Sequence, residues 1–285
     1  MDGFEIIIFA FSGYYSVISI INWYRRLAGI WPSGQNSTIK YTFGFLPVIS
    51  FAIILYTLRA LASFDVVGAS IYILFYIFLG FAWVFIGLKL VFYFFDLSWI
   101  DDALQNKNKA ALFAITGAFL GLVVIYSGAN VGDGPGWWCV LFAGGLGIIS
   151  WLILSLVMNK FTQVFERISE ERDIYCGIRF GSYLVACGLI MGRASAGDWT
   201  SFSMTIVEFL VGWPALPLTL LAILIERFYI NNAKSQESVN NNHLMSSIYW
   251  GIIYVLIAVF SIMMFPLVEN PAYGSVPVDL LGVVI

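Results

Sequence analysis

The sequence predicts an all-α, polytopic membrane helix bundle of about eight transmembrane helices, with tandem parallel helical-hairpin repeats. Three observations lead there. The 285 residues are 60% hydrophobic, 18% aromatic and only 11% charged, against about 25% charged in an ordinary globular domain. Apolar runs of about 20 residues, the length that crosses a hydrocarbon core as a helix, recur eight times along the chain. Two connections between these runs carry the same residues at the same offsets.

The runs span roughly 4–22, 42–63, 67–93, 110–130, 137–158, 175–192, 202–225 and 244–265. The first begins with Asp2 and Glu5 in place of a basic leader and lacks a small-residue cleavage site, so it is expected to be a retained helix. The third is long enough to tilt or protrude. Positively charged loops stay cytoplasmic. Arg25, Arg26, Lys40, Lys89, Lys107, Lys109, Lys160, Arg167, Arg172, Arg179, Arg227 and Lys234 lie in or beside the odd-numbered connections, and only Arg59 and Arg193 fall on the other side. The odd connections are therefore expected in the cytoplasm and both termini outside.

Charge and composition also exclude whole classes. Fourteen basic residues spread along a chain of pI about 5.1 form no nucleic-acid surface, so no nucleic-acid partner is expected. Cys139, Cys176 and Cys187 fall at unmatched depths and are read as structural filler. His243, the one histidine, is placed in a polar loop over 231–247. A single histidine argues against bis-histidine haem, His-containing zinc sites and Ser-His-Asp hydrolysis. No metal and no cofactor are expected, and no paired acids or serine-plus-base arrangement predicts an enzyme.

Shifted by 65, "AITGAFLGLVVIYSGANVGD" (114–133) lies over "RFGSYLVACGLIMGRASAGD" (179–198). Ala129, Gly132 and Asp133 meet Ala194, Gly197 and Asp198, while Gly117 and Gly121 meet Ser182 and Ala186. With small changes of offset Trp151 corresponds to Trp213 and "VFERI" (164–168) to "LIERF" (224–228). This pattern divides a single membrane domain, 1–285, into a first helix and cytoplasmic loop (1–41), hairpins at 106–168 and 172–228, and a polar loop, last helix and external tail (229–285). Asp65 and Trp83 share the eighteen-residue spacing of Asp133 and Trp151, which makes 42–96 a candidate divergent copy. Both copies run the same way, as in parallel repeats about an axis along the membrane normal.

Small residues four apart let helices approach closely in lipid, where hydrophobic drive between helices is weak. Gly117 and Gly121, with Ser182 and Ala186, are therefore expected to pack the fourth and sixth runs together. Glycine lining a ligand groove is the alternative use. "AGGLG" (143–147) offers a second such surface.

The stretch "NKNKAALFAITGAFLGLVVIYSGA", the following helix with Trp151, and the second copy after "ERISEERDIYCGIRFG" resemble the YjfL-like bacterial inner-membrane family, a tandem domain of unknown function. The family's Asn-x-Ala-Ala start falls on Asn108 to Ala111 and its Gly-x-x-x-Gly on Gly117 and Gly121, over about residues 70–200. In the second copy that start is degraded to "RDIYCGIRFG". The resemblance implies a multi-pass protein of the bacterial inner (plasma) membrane, in a family sometimes encoded beside membrane-stress proteins. It brings no catalytic residue.

Among polar residues Glu208 stands about six positions into the seventh run, some 9 Å deep at about 1.5 Å per residue. A carboxylate there needs a partner or a proton, and Arg193 is the expected one. Trp213, Pro214 and Pro217 follow; the prolines lack a donor and should kink the helix and free carbonyls. A structural Glu208–Arg193 clip and an ion or substrate site at this kink are the two readings. Asp133 and Asp198 are read as hairpin-turn residues that cap the helices after them. Residues 159–175 read as a helix projecting from the bilayer with a Phe161, Val164, Phe165, Ile168 stripe, packed on the bundle or docking a cytoplasmic partner. The tail "LVENPAYGSVPVDLLGVVI" is too broken to span and is expected on the outer surface, where its apolar end favours association.

These features predict a non-enzymatic membrane subunit or scaffold of an envelope-associated complex, in contact with membrane lipids and assembling as a homo-oligomer or with a membrane-protein partner. The alternative is a transporter or channel for a small cation, proton or solute, using Glu208 and the kinked seventh run.

Overall fold

The computed structural model describes residues 1–29, 34–233 and 242–267. The chain is all-helical. In order it forms α1 (Gly3–Ala28), α2 (Gly34–Ala60), α3 (Phe64–Gly68), α4 (Ser70–Phe95), a π-helical segment (Trp99–Gln105), α5 (Lys109–Ala129), α6 (Trp137–Thr162), α7 (Val164–Ser169) and α8 (Ile174–Ala194). It continues through α9 (Phe202–Phe209), one 3₁₀ turn (Leu210–Gly212), α10 (Ala215–Ala233) and α11 (Asn242–Met264). Among the described residues eight stretches are long and apolar enough to cross a membrane: α1, Thr38–Ala60, α4, α5, α6, α8, Phe202–Asn231 and His243–Met264. Positions 234–241 of the polar loop read over 231–247, and 268–285 of the tail, lie outside the described residues, as do 30–33 of the first loop.

Local chemistry sets the helix ends. Asp2 and Glu5 close a capping box at the start of α1, satisfying donors that a helix N-terminus leaves open. Asn108 caps α5 through Ala110 N–H and Ala111 N–H, and Asp173, 65 residues on, caps α8 through Tyr175 N–H and Cys176 N–H. Each cap follows a left-handed residue, Lys107 at φ 53° and Arg172 at φ 55°. Asp96 and Gln163, also left-handed, end α4 and α6. The degraded start of the second copy thus keeps the capping chemistry, with Asp in place of Asn.

Gln163 also changes how 159–175 is placed. Its left-handed backbone breaks the helix, so α7 folds back instead of projecting, with Val164 and Ile168 at 0% exposure and Phe165 buried. Phe161, before the break, stays exposed and lies 5.7 Å from the Arg227 guanidinium. Two further boundaries differ from the sequence reading. α10 extends to Ala233 and α11 starts at Asn242, so His243 sits in a helical turn, not a loop.

The core of the bundle is the pair α5 and α8. They run parallel in a register close to the sequence offset, and their backbones touch along the whole length. A Cβ added at Gly117 would lie 2.1 Å from Gly181 O, and one at Gly128 would lie 2.1 Å from Gly192 O. Gly177 faces Ala110, Gly181 also faces Phe113 O, Gly188 faces Gly121, and Gly192 faces Val124 O. These are approaches that only the absence of a side chain permits. Trp151 of α6, fully buried, locks the seam by donating its indole N–H to Leu184 O at 2.9 Å.

Ser182 lies elsewhere than the sequence alignment suggests. Its hydroxyl is where a Cβ on Gly251 of α11 would fall, at 2.5 Å, and the residue opposite Gly117 is Gly181. One residue is about 100° of arc at 3.6 residues per turn, enough to turn a side chain from one neighbour to the next. Ala186 is fully buried. In α6, Gly144 accepts the Trp83 ring and Ala129, Gly147 accepts Ile125 and Ser195, and Gly145 faces open space.

Two glycines in the "AGGLG" and seam regions therefore make opposite predictions. Gly117→Leu should lower stability by about 1–3 kcal/mol or more, because overpacking against backbone cannot relax by a rotamer change. Gly145→Ala, with nothing within 4 Å of the new carbon, should leave it unchanged or raise it by up to about 1 kcal/mol, since a mid-helix glycine costs about that against alanine. Thermal unfolding of both variants in the same detergent checks the difference.

Candidate functional site

At the turn end of the bundle the two Gly-Asp connections bind each other. Gly132 (φ 104°) and Gly197 (φ 143°) hold left-handed backbone, which glycine adopts without strain. Asp133 N–H donates to Asp198 Oδ1 at 2.8 Å, Trp199 N–H to Asp133 O at 2.7 Å, and Gly197 N–H to Val131 O at 3.0 Å. Gly132 N–H reaches Leu61 O at 3.1 Å, tying in the end of α2. The expected capping role is therefore corrected. α6 starts at Gly136 without a side-chain cap, and α9 is capped by Ser201 through Met204 N–H. Asp198 spans to the other turn because the glycines bring the two loops into contact.

A small cavity of about 60 Å³ lies beneath these turns, lined by Asp133, Asp198, Glu208, Thr205, Trp199 and Cys139 among others. That is room for a few waters or one small ion, since about 10–15 Å³ of such volume suffices for one water. Among the described residues no three His, Cys, Asp or Glu are grouped closely enough to hold a metal ion.

Glu208 and Arg193 do not form the expected clip. Glu208 is exposed on α9, at the rim of this cavity. Arg193 turns to the end of α11, where Nε donates to Phe265 O and Nη2 to Pro266 O, each at 2.7 Å. These two carbonyls lie just past α11, at the partially negative end of the helix, and they take the guanidinium that the sequence assigns to Glu208. The seventh span does break before α10, at Leu210 to Pro214: α9 stops at Phe209, a 3₁₀ turn follows, Trp213 and Pro214 form a turn, and α10 begins at Ala215. Pro217 makes no break, since it sits in the first turn of α10, where a missing N–H costs nothing. Gly212 in the break packs on Ala194 and Met191 of α8. Trp213 is 56% exposed, 6.1 Å from the Phe265 ring, unlike its sequence counterpart Trp151 in the core.

The densest polar constellation is at the opposite, basic end. Glu226 of α10, fully buried, receives Arg179 of α8 through Nε (2.5 Å) and Nη2 (2.8 Å), and Arg167 of α7 through Nη1 (2.7 Å). Arg167 Nη2 also meets Asp173 Oδ2 at 2.6 Å, and Arg179 Nη1 donates to Ser247 of α11 at 2.7 Å. The Arg179 guanidinium lies 4.1 Å from the Tyr229 ring centroid, a cation–π contact. Two guanidinium groups and two carboxylates balance, and their donors and acceptors are matched. Burial opposes the charge on Arg167, but the Glu226 and Asp173 carboxylates outweigh it and hold the group above its ordinary range. The cluster clamps α7, α8, α10 and α11 together.

Sequence reasoning missed this cluster by one position. The seventh run, drawn as 202–225, ends just before Glu226, and Arg179 was assigned to the loop charge count. The usable signal was two opposite charges a turn or so inside facing ends of adjacent apolar spans.

Removing one partner of a buried pair strands the other, at a cost of about 3–5 kcal/mol. Glu226→Ala should therefore lower the unfolding midpoint strongly, and Glu208→Gln hardly at all; unfolding in detergent compares them. The chain matches no curated protein and no solved structure. The segment 63–195, from α3 to the end of α8, matches the family model Domain of Unknown Function (DUF350), an uncharacterised domain family consistent with the YjfL-like resemblance.

Proposed function

We propose that the protein is a non-enzymatic integral membrane scaffold of the bacterial inner membrane, assembling with itself or with partner proteins of an envelope-associated complex. The observation that carries this reading is the fate of the intramembrane polar groups. Glu226, Arg179 and Arg193 are all engaged in holding helices together, and the α5–α8 seam is closed by backbone contact. Chemistry or transport needs polar groups that face a substrate. The basic end, with Arg25, Arg26, Arg167 and Arg172, is the cytoplasmic one by the charge rule, which puts the Gly-Asp turns and both termini outside. Tandem hairpins supply two equivalent halves to the seam. The exposed apolar surface of α1, α9 and α11 meets lipid or another subunit.

One observation favours a second reading, a pathway for a small cation or proton. Glu208 lines the cavity beside the break in the seventh span together with Asp133 and Asp198, and broken helices near acidic groups form ion sites in many transporters.

Purification in a mild detergent followed by mass photometry is expected to recover an oligomer or a stable complex. A monomer without partners at every concentration would contradict the scaffold. Cation and proton flux into liposomes is expected to be absent; flux that disappears in Glu208→Gln would establish the second reading instead.

A further inference from the structure

The long helices stand in two rows. In one, α2, α5, α8 and α11 pack each on the next, and in the other α1, α4, α6 and α10 do the same. All four helices of the first row rise from the basic end to the turn end: Leu61 O, just past α2, accepts from Gly132 N–H, past α5, and Arg193, near the end of α8, donates to Phe265 O, just past α11. The packing itself recurs. Gly117 of α5 faces Gly181 of α8, and the residue after it, Ser182, faces Gly251 of α11. Each helix of the row therefore has one face for the helix before it and another for the helix after it, as in stacked repeats whose units touch only their neighbours.

A row built this way has two open ends. α11 turns Ser247, Gly251 and Tyr254 to α8, and α2 buries Phe43, Ser50, Ile54 and Leu58. On the opposite side of each helix, at about 100° of arc per residue, lies an exposed apolar stripe: Tyr41, Phe45, Val48, Ala52 and Tyr56 on α2, and Met245, Tyr249, Ile252, Leu256 and Phe260 on α11. The stripes match. Both step by four, three, four and four residues, a heptad-like spacing, and Tyr41 and Met245 each stand 19 residues before the last residue of their helix, so the two cover the same length of span. Neither contains a charged residue. Large side chains at this spacing interdigitate in the left-handed crossings common between membrane helices. Burial follows the same plan: the four spans that end the rows, α1, Thr38–Ala60, Phe202–Asn231 and His243–Met264, have 17–39% of their apolar stretch buried, and the four inner spans have 44–78%.

We propose that the protein assembles head to tail with copies of itself. The α11 stripe of one chain packs in parallel on the α2 stripe of the next, and α10 comes to lie beside the next chain's α1, so that both rows run on across the contact. A second copy is the occupant because it continues a contact that the chain already makes twice, from α5 to α8 and from α8 to α11. The two surfaces differ, so the contact is heterologous and either closes into a ring or extends as an open filament. This rests on the self-assembling form of the scaffold reading above and names the surfaces it uses.

The test uses the full chain in native membranes. Cys139, Cys176 and Cys187 are replaced by alanine, and two separately tagged chains are co-expressed, one carrying Val48→Cys and the other Ile252→Cys. A short bis-maleimide is expected to join the two tags, while neither chain expressed alone cross-links. A chain carrying both cysteines should give a ladder of multimers or a single closed ring. Ala52→Trp, added to the Val48→Cys chain, should cut the yield about tenfold by overpacking the contact, with the melting temperature unchanged because Ala52 is exposed. Cross-linking of Ile252→Cys with itself at equal yield would show a two-fold contact and overturn the proposal, as would an unchanged yield in Ala52→Trp, or an oligomer by mass photometry whose tags do not cross-link. A monomer by mass photometry would overturn the self-assembly reading along with it, which tells the two failures apart.

Discussion

The contact on which the rest of the structure depends is the parallel approach of α5 and α8, backbone against backbone, through Gly117, Gly121 and Gly128 on one side and Gly177, Gly181, Gly188 and Gly192 on the other. In lipid the gain comes from dispersion and from the match of surfaces, since apolar side chains gain little by leaving an equally apolar solvent. A seam of glycine maximises that gain and fixes the register, because any slip by a residue drives a side chain into a carbonyl. Everything at the two ends of the bundle follows from it. Bringing α5 and α8 together places the Gly132 and Gly197 turns in contact, so that Asp198 bonds to the opposite turn. At the other end it sets Ala110, in the turn that Asn108 caps, against Gly177, in the turn that Asp173 caps.

Around this seam, charges inside the membrane act as fasteners. Arg179 and Arg167 converge on Glu226 and join α7, α8, α10 and α11, beside the hydroxyl contacts of Tyr183 with Thr219 and of Tyr229 with Ser246. Arg193 does the same at the turn end by holding the carbonyls of Phe265 and Pro266, just past the end of α11. Buried ion pairs are costly to form and costlier to break, so their value here is in specifying which helices meet. Lys89 of α4 is the exception: among the described residues it makes no ion pair, and its ammonium rests 5.1 Å from the Tyr15 ring centroid.

Much of the fold was legible because membrane helices announce themselves by length and composition, and the eight apolar runs match the eight candidate spans. The match of 63–195 to an uncharacterised family was legible as well, from Asn108, Gly117 and Gly121 in their spacing. Side-chain direction was not. An offset of 65 set Ser182 over Gly117, yet the neighbour in space is Gly181, and a single residue of rotation hands Ser182 to α11. Asp133 and Asp198 looked like caps because a helix follows each; only the contact between turns, a long-range event, redirects Asp198. Glu208 stands out by its depth on a straight helix, but α9 is a short helix that ends at Phe209, and Glu208 stays exposed at the rim of the cavity. Glu226 was hidden by a span boundary drawn one residue early, which made a core residue look like a loop charge.

The central claim, that α5 and α8 lie parallel and in contact along their full length, is tested most directly by pulsed EPR distances between spin labels placed outside the glycine seam. In a background with Cys139, Cys176 and Cys187 replaced, the exposed positions Lys109→Cys with Glu171→Cys label the basic end and Pro135→Cys with Thr200→Cys the turn end. The account predicts short distances within one chain for both pairs, and about 30 Å for Lys109→Cys with Thr200→Cys, the length of a 21-residue helix at about 1.5 Å per residue. Long distances for both same-end pairs with a short one for the crossed pair would contradict it.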